Sequence, residues 1–416
     1  AILIKPAKYS VHRDHTQPEP RMLRPGSFAL TLLLAMLTGL GPLSMDMYLA
    51  SLPAIGRILG AGTAEVQLTI SFYLVGFAVS QVLYGPLSDR HGRRPVLLAA
   101  LGIYLVATFA CALAFSIETL IAARFVQAVG GSGAIVLARA VVRDMFEGAQ
   151  VGRELSRMAA IMALAPLVAP MIGGVLQTTF GWRSNFLALF IFGTAAWVMV
   201  WRLLPETLRT RSPEPVSLAS TLRSYRSFLA DRAFVIYLGI STGCLCGLFA
   251  WISSAAFVLQ DIYGVSALTF GLSFALASSG YLVGTTVAAR FVPHVGGERI
   301  MGLGTIGMAI GGFAVMILSA LEAHSSGALV AAMALYLAGM GMALPLAQAG
   351  ALLPFPDRAG AASSLLGFVT QILSAIVGAV IGHMLTTSAW PLAIAMAAAG
   401  GLSLVLWLFS RQSGSV

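Results

Sequence analysis

Charge is scarce in this 416-residue chain, at 10% of its residues, where soluble domains carry about 25%. Lysine is scarcer still, with only Lys5 and Lys8. A nucleotide-binding P-loop needs Gly-x4-Gly-Lys-[Ser/Thr], so an ATP site of that kind is excluded. There are three cysteines, Cys111, Cys244 and Cys246, all within apolar runs. Two residues apart on a helix, Cys244 and Cys246 point away from each other. No disulfide or metal site is expected, and all three read as buried filler.

What the chain has in excess is apolar sequence, 58% of all residues. A membrane-spanning helix needs about 20 such residues. The first six runs are Phe28 to about Leu52, Val66–Leu87, Pro95–Phe115, Leu120–Val142, Met158–Thr178 and Asn185–Leu204. A polar stretch from Pro205 to Arg232 interrupts the series. Six more follow: Ala233–Leu259, Leu268–Val292, Ile300–Leu321, Ala328–Leu352, Ala361–Leu385 and Trp390–Phe409. The expected fold is an all-α membrane protein of twelve transmembrane helices in two six-helix bundles. The expected divisions are a disordered cytoplasmic tail at 1–27, bundles at 28–204 and 233–410, a linker at 205–232, and a tail at 411–416. The chain starts with Ala1, so residues 1–21 are set aside and Met22 is a candidate initiator.

The net charge of +9 follows from topology rather than nucleic-acid binding. Arginines crowd alternate inter-span segments: Arg90, Arg93 and Arg94; Arg143, Arg153 and Arg157; Arg202, Arg209, Arg211, Arg223, Arg226 and Arg232. Arg290, Arg299, Arg358 and Arg411 fall on the same side, and only Arg57 and Arg183 on the other. The positive-inside rule then places both termini in the cytoplasm of a bacterial inner-membrane protein. Trp182, Trp201, Trp390 and Trp407 fall at span edges and are expected as interfacial anchors. Glycine, at 44 residues, clusters within spans, where it lets helices approach closely.

Of sixteen acidic residues, only Asp46 lies deep within an apolar run. An ionised carboxylate there costs about 3 kcal/mol and normally faces a cavity or a partner. Its expected partner is Arg124, read as the one arginine inside a span, at a similar depth in the fourth run. Such a pair suits proton coupling. The loop Gly85-Pro86-Leu87-Ser88-Asp89-Arg90-His91-Gly92-Arg93-Arg94 joins runs two and three. Its glycines allow close approach and a tight turn, and Asp89 can latch onto the arginines. Gly85, Asp89, Arg90, Gly92 and Arg93 are therefore expected to form a cytoplasmic gate. In run five, Pro166, Pro170, Gly173 and Gly174 mark a flexure. Tyr48, Gln127, Phe249, Trp251 and Phe257 are candidates for the wall of a substrate cavity, against a plain packing role. No catalytic group can be assembled from the intramembrane residues, and the lone His383 reads as structural, so no enzyme is expected.

These motifs resemble the major facilitator superfamily, drug:proton antiporter branch with twelve spans, and especially its bicyclomycin and chloramphenicol/florfenicol exporters. The likeness covers residues 28–410. Gly85 to Arg94 is similar to the superfamily's loop signature, Arg124 to Gly130 to its fourth-span motif, and Ala165 to Gly174 to its fifth-span antiporter motif. Leu43 to Pro53 is similar to the acidic first-span motif, although Ala50 stands where a proline is usual. The second-half echo of the loop, from Arg290 to Arg299, is reduced. The resemblance implies multidrug and antibiotic efflux by alternating access, with Asp46 and Arg124 in proton coupling. Also expected are a small drug as substrate, the proton as coupling ion, no other cofactor, no ATP, no nucleic acid, and a monomer. A proton-coupled uptake symporter for a metabolite is the nearest alternative, and a non-transporting membrane receptor the next.

Overall fold

The computed structural model describes residues 27–208, 225–322, 325–355, 358–385 and 388–412. Residues 1–26 and 209–224 lie outside the described residues, and with them Lys5, Lys8, Met22, Arg209, Arg211 and Arg223. All regular structure among the described residues is helical. Hydrocarbon offers no water to backbone N–H and C=O groups, so a spanning segment must satisfy them internally. Twelve helices are long and apolar enough to cross a bilayer. Spans 1 to 6 are Phe28–Leu59, Thr63–His91, Arg93–Leu113, Ile117–Met145, Gln150–Phe180 and Arg183–Leu203. Spans 7 to 12 are Arg232–Ile262, Ala267–Val295, Gly297–Ala320, Ser326–Leu352, Gly360–Met384 and Trp390–Arg411.

The helices pack on one plan used twice. Span 2 lies against span 4, span 4 against span 3, span 3 against span 6, and span 1 against span 5. Six spans later the pairs recur as 8 with 10, 10 with 9, 9 with 12, and 7 with 11. Even the turns correspond: Gly92 between spans 2 and 3 has φ +102°, and Gly296 between spans 8 and 9 has φ +88°. Internal repeats of this kind are common in secondary transporters. The two bundles meet chiefly where span 2 packs on span 11 and span 5 on span 8.

Small residues set the closeness of these contacts. A methyl group added at Gly280 or Gly284 of span 8 would overlap the carbonyls of Ala334 and Ala338 in span 10. In span 4, Gly130 leaves no room for a side chain beside Tyr104 and Ala100 of span 3.

Span 1 departs from the expected single run. Its helix stops at Asp46, a 3-10 turn follows at Leu49–Ser51, and a second helix runs from Leu52 to Leu59. Pro53 sits in the first turn of that second helix, where its missing N–H costs nothing. The break is what span 5 packs on. A side chain at Gly173 would run into the Met47 carbonyl, and one at Gly174 would meet the Ala267 carbonyl of span 8 at 2.7 Å. The helix meanwhile continues unbroken through Pro166 and Pro170. Gly173 and Gly174 thus serve close packing, a contact that the flexure reading did not foresee. Gly173→Val is expected to destabilise the protein by about 3 kcal/mol or more, because a backbone carbonyl cannot step aside. Thermal unfolding of the purified variant in detergent measures it.

Two tryptophans correct the interfacial expectation. Trp201 and Trp390 are partly exposed at span ends, but Trp182 is buried edge-on to Phe186. Trp407 is buried as well and donates its indole N–H to the Glu298 carbonyl at 3.2 Å.

Candidate functional site

Between the bundles lies a cavity with two connected lobes, each enclosing about 270 Å³. The first lobe is apolar and aromatic, with Pro42, Tyr73, Phe77, Phe249 and Phe274 in its wall and Asp46 as the one charged group there among the described residues. The second lobe lies toward the arginine-rich end of the spans and is polar, with Gln81, Arg139, Gln348 and Gln371. Phe77, Ile135, Met162, Leu245 and Gln371 border both. At the opposite end the bundles are joined. Arg57 bonds Asp261 at 3.2 Å, and Gln260 donates to the Ala50 carbonyl at 3.1 Å.

Asp46 reaches the cavity because the first helix ends there. Its residue is 4% exposed, and its carboxyl makes no hydrogen bond or ion pair with any described residue. The expected ion pair with Arg124 is not formed. Arg124 is held elsewhere, although only a turn of chain away. The last carbonyls of a helix have no partner within it, and Arg124 Nη1 donates to one of them, Ser44 O, at 2.9 Å. The same nitrogen donates to Gln127 Oε1 at 2.6 Å. The guanidinium lies 4.2 Å from the ring centres of both Tyr48 and Tyr73. Cation–π attraction of this kind is worth about 2 kcal/mol once desolvated. Arg124 therefore acts on the site through the break in span 1 and through Tyr73, which lines the cavity.

That cage accounts for two of the five proposed wall residues. Tyr48 is fully buried beneath Arg124, with its hydroxyl 3.0 Å from Thr69 Oγ1. Gln127 is fully buried between Arg124 and Thr108. Trp251 is buried against Phe274, and Phe257 packs within the core. Only Phe249 of the five faces the cavity. The others are corrected to packing and scaffold positions, because helix rotation toward neighbours, not aromatic character, decides what a side chain meets.

The loop between spans 2 and 3 forms a compact network. Arg93 pairs with Asp89, bonds Asp144 Oδ2 through Nε at 3.0 Å, and bonds Ser88 Oγ at 2.6 Å. Thr207 donates to the same Asp144 oxygen at 3.0 Å. Glu206 accepts from the backbone N–H groups of Arg93 and Arg94 at 2.8 and 3.2 Å, a carboxylate cap at the positive end of span 3. The bare Cα of Gly92 gives that carboxylate its room. Arg90 is exposed and bonds no described residue, and Gly85 has no close neighbour. Asp144 and Glu206 were not singled out from sequence. They look like ordinary loop acids until the spans are packed.

Arg139 is the larger omission. Arg124 is not the only arginine inside a span: Arg139 lies within span 4 and faces the second lobe. A usable signal was present in the sequence, since Arg139 falls inside the fourth apolar run, Leu120–Val142, and not beyond its end.

A repeated six-span plan, an interrupted first helix and a cavity between the bundles match the plan of membrane transporters built from internal repeats. The sequence profile of the Major Facilitator Superfamily matches residues 34–379 and 239–415, and the chain belongs to that family. It is 36% identical over 363 residues to the uncharacterized MFS-type transporter YdgK of Bacillus subtilis (strain 168), covering 86% of this chain and 90% of that protein. It is 30% identical over 387 residues to multidrug resistance protein D of Escherichia coli (strain K12), covering 93% and 97%. A bicyclomycin resistance protein homolog of Haemophilus influenzae (strain ATCC 51907 / DSM 11121 / KW20 / Rd) is 30% identical over 385 residues, covering 92% and 96%. Among solved structures, a D-xylose-proton symporter superposes with a TM-score of 0.73 at 17% identity, covering 92% of this chain and 96% of that one. That last likeness is one of fold. The chain is thus a multi-pass membrane transporter and not an enzyme.

Proposed function

We propose that this protein exports small drugs across the bacterial inner membrane in exchange for protons. The carrying observation is Asp46, which among the described residues is the one acid in the cavity wall, buried and without a partner. Ionisable groups within membranes mark proton and substrate pathways. The likeness to a multidrug resistance protein and a bicyclomycin resistance protein homolog supports drugs as cargo; phenicols and bicyclomycin are the first compounds to try.

In this reading both termini are cytoplasmic, so the arginine-rich end faces the cytoplasm and the joined end faces outward. The cavity then extends toward the cytoplasm. Drug enters there and the proton leaves Asp46. Rocking of the bundles turns the cavity outward, where Asp46 takes a proton and drug departs. Arg124 is a positioning residue: it ties the break that carries Asp46 to span 4. The gate formed by Asp89 and Arg93, now with Asp144 and Glu206, holds the cytoplasmic ends of spans 2, 3 and 4 as one piece while they move. The protein works as a monomer, with the proton as its only coupling ion and no ATP.

Expression in an efflux-deficient host should raise tolerance several-fold to at least some compounds of a broad drug panel. In everted vesicles with an acid lumen, adding such a drug should dissipate the pH gradient. Unchanged tolerance throughout the panel would overturn the export reading. Solute and proton entering together would replace exchange by symport.

A further inference from the structure

The second lobe of the cavity has a chemistry that proton exchange does not use. Arg139 is half-buried there, and no described residue gives it a hydrogen bond or an ion pair. Guanidinium groups stay charged at any physiological pH. Placing one inside a membrane helix is costly unless it is paired or reaches water. Arg124, fifteen residues earlier on the same helix and about 22 Å away along its axis, is held through Nη1 by a carbonyl and a glutamine and by two rings, while its Nε and Nη2 have no partner among the described residues. Arg139 is left open to the cavity.

Its surroundings are equally unspent. Gln81 of span 2, Gln348 of span 10 and Gln371 of span 11 line the same lobe. None of the three makes a hydrogen bond to a described residue, and Gln371 Oε1 is buried without a partner. Among the described residues, no acid lines this lobe. Four side chains from both bundles thus offer N–H donors to one space, around a fixed positive charge. Hydrogen bonds from a guanidinium and amides to an oxyanion are stronger than those between neutral groups, and the fork geometry of arginine suits a carboxylate. The first lobe, continuous with this one, offers aromatic and aliphatic walls.

We propose that the cavity is built for amphipathic monoanions, with the carboxylate of the cargo on Arg139, Gln81, Gln348 and Gln371 and its apolar body among Tyr73, Phe77 and Phe249. This deepens the transport reading by naming a cargo class for the same cavity. It also separates the two charges by function: Asp46 carries the proton at one end, and Arg139 holds the anion at the other. An ionised Asp46 would repel a carboxylate in its own lobe, so the cargo is oriented head-first toward the arginine-rich end.

The test is a matched pair of fluorescent probes, pyrenebutyrate and its neutral amide, binding to the purified full-length protein in detergent at about pH 7.5, where carboxylic acids are ionised. Fluorescence anisotropy gives both dissociation constants. The intact protein should bind the carboxylate about tenfold to a hundredfold more tightly than the amide. Arg139→Gln should bring the two within about twofold while amide binding holds, and Arg139→Lys should keep part of the preference. Gel filtration and thermal unfolding check that each variant is folded. Should Arg139→Gln misfold, Gln371→Leu takes its place, with a smaller loss of carboxylate preference expected. Equal binding of both probes by the intact protein would overturn the proposal, as would an equal loss of both in the folded variant. The assay needs neither a proton gradient nor resistance, so the carboxylate preference can stand if export fails, and export can stand if the preference is absent.

Discussion

Asp46→Asn is expected to abolish drug-driven proton movement while leaving the protein folded. Asparagine has nearly the same shape as the carboxyl it replaces, and Asp46 has no bond to a described residue for the change to break. Removing a potential charge from an apolar wall relieves up to about 3 kcal/mol of burial cost, so the thermal midpoint should hold or rise. Coupling is another matter, because an amide cannot give up and regain a proton across this pH range. In everted vesicles, the pH gradient should no longer respond to drug, and resistance in an efflux-deficient host should fall to the level of an empty vector. Binding of neutral compounds should persist, since the aromatic wall is unchanged. Asp46→Glu should restore part of the coupling. Full gradient-driven export by the asparagine variant would remove Asp46 from the mechanism.

Arg124 should be intolerant even of lysine. Its guanidinium lies between two tyrosine rings at 4.2 Å each, and one nitrogen bonds both Ser44 O and Gln127 Oε1. Lysine keeps the charge but lacks the flat face that lies against the two rings. It would leave the broken end of the first helix poorly held and put a strongly hydrated ammonium in a sealed site. Arg124→Leu removes the charge but strands the Ser44 carbonyl and the Gln127 amide. Losses of about 2–4 kcal/mol are expected for leucine, from two buried acceptors stranded at about 1–3 kcal/mol each, and somewhat less for lysine. Both should lower the thermal midpoint in detergent and reduce transport more than tenfold in folded protein. A lysine variant matching the parent in both measurements would show that charge alone matters there. Comparison with Asp46→Asn separates the two roles. A positioning residue costs stability and transport together, whereas the proton carrier costs transport alone.

Much of the architecture was legible before any packing was known. The twelve spans follow from apolar run length, because the bilayer imposes a one-dimensional rule that local composition must obey. Asp46 could be found in the same way, as a charge where the rule forbids one. The break after it could not. Leu43 to Leu52 reads as one apolar stretch apart from Ser44, Asp46 and Ser51. What stabilises the interruption comes from elsewhere in the chain: Arg124 on the Ser44 carbonyl, Gln260 on that of Ala50, and the bare face of Gly173 against Met47.

The errors at the site have the same origin. Tyr48 and Trp251 were candidates for the wall because large aromatics often line cavities, yet Tyr48 is capped by a guanidinium and Trp251 by Phe274. Arg139 was passed over because it stands close to Arg143 and the end of its run, where arginines usually mark the membrane edge. Only the arrival of Gln348 and Gln371 from the other bundle shows that Arg139 borders a cavity.

Composition and run spacing were therefore sufficient for the fold, the number of crossings and the one misplaced acid, since each follows from the cost of moving a segment into hydrocarbon. Which charges are paired, which aromatics are walls, and where two arginines on one helix part company depended on contacts between distant spans. Those contacts are set by the rotation and close approach of whole helices, and no local stretch of chain encodes them alone.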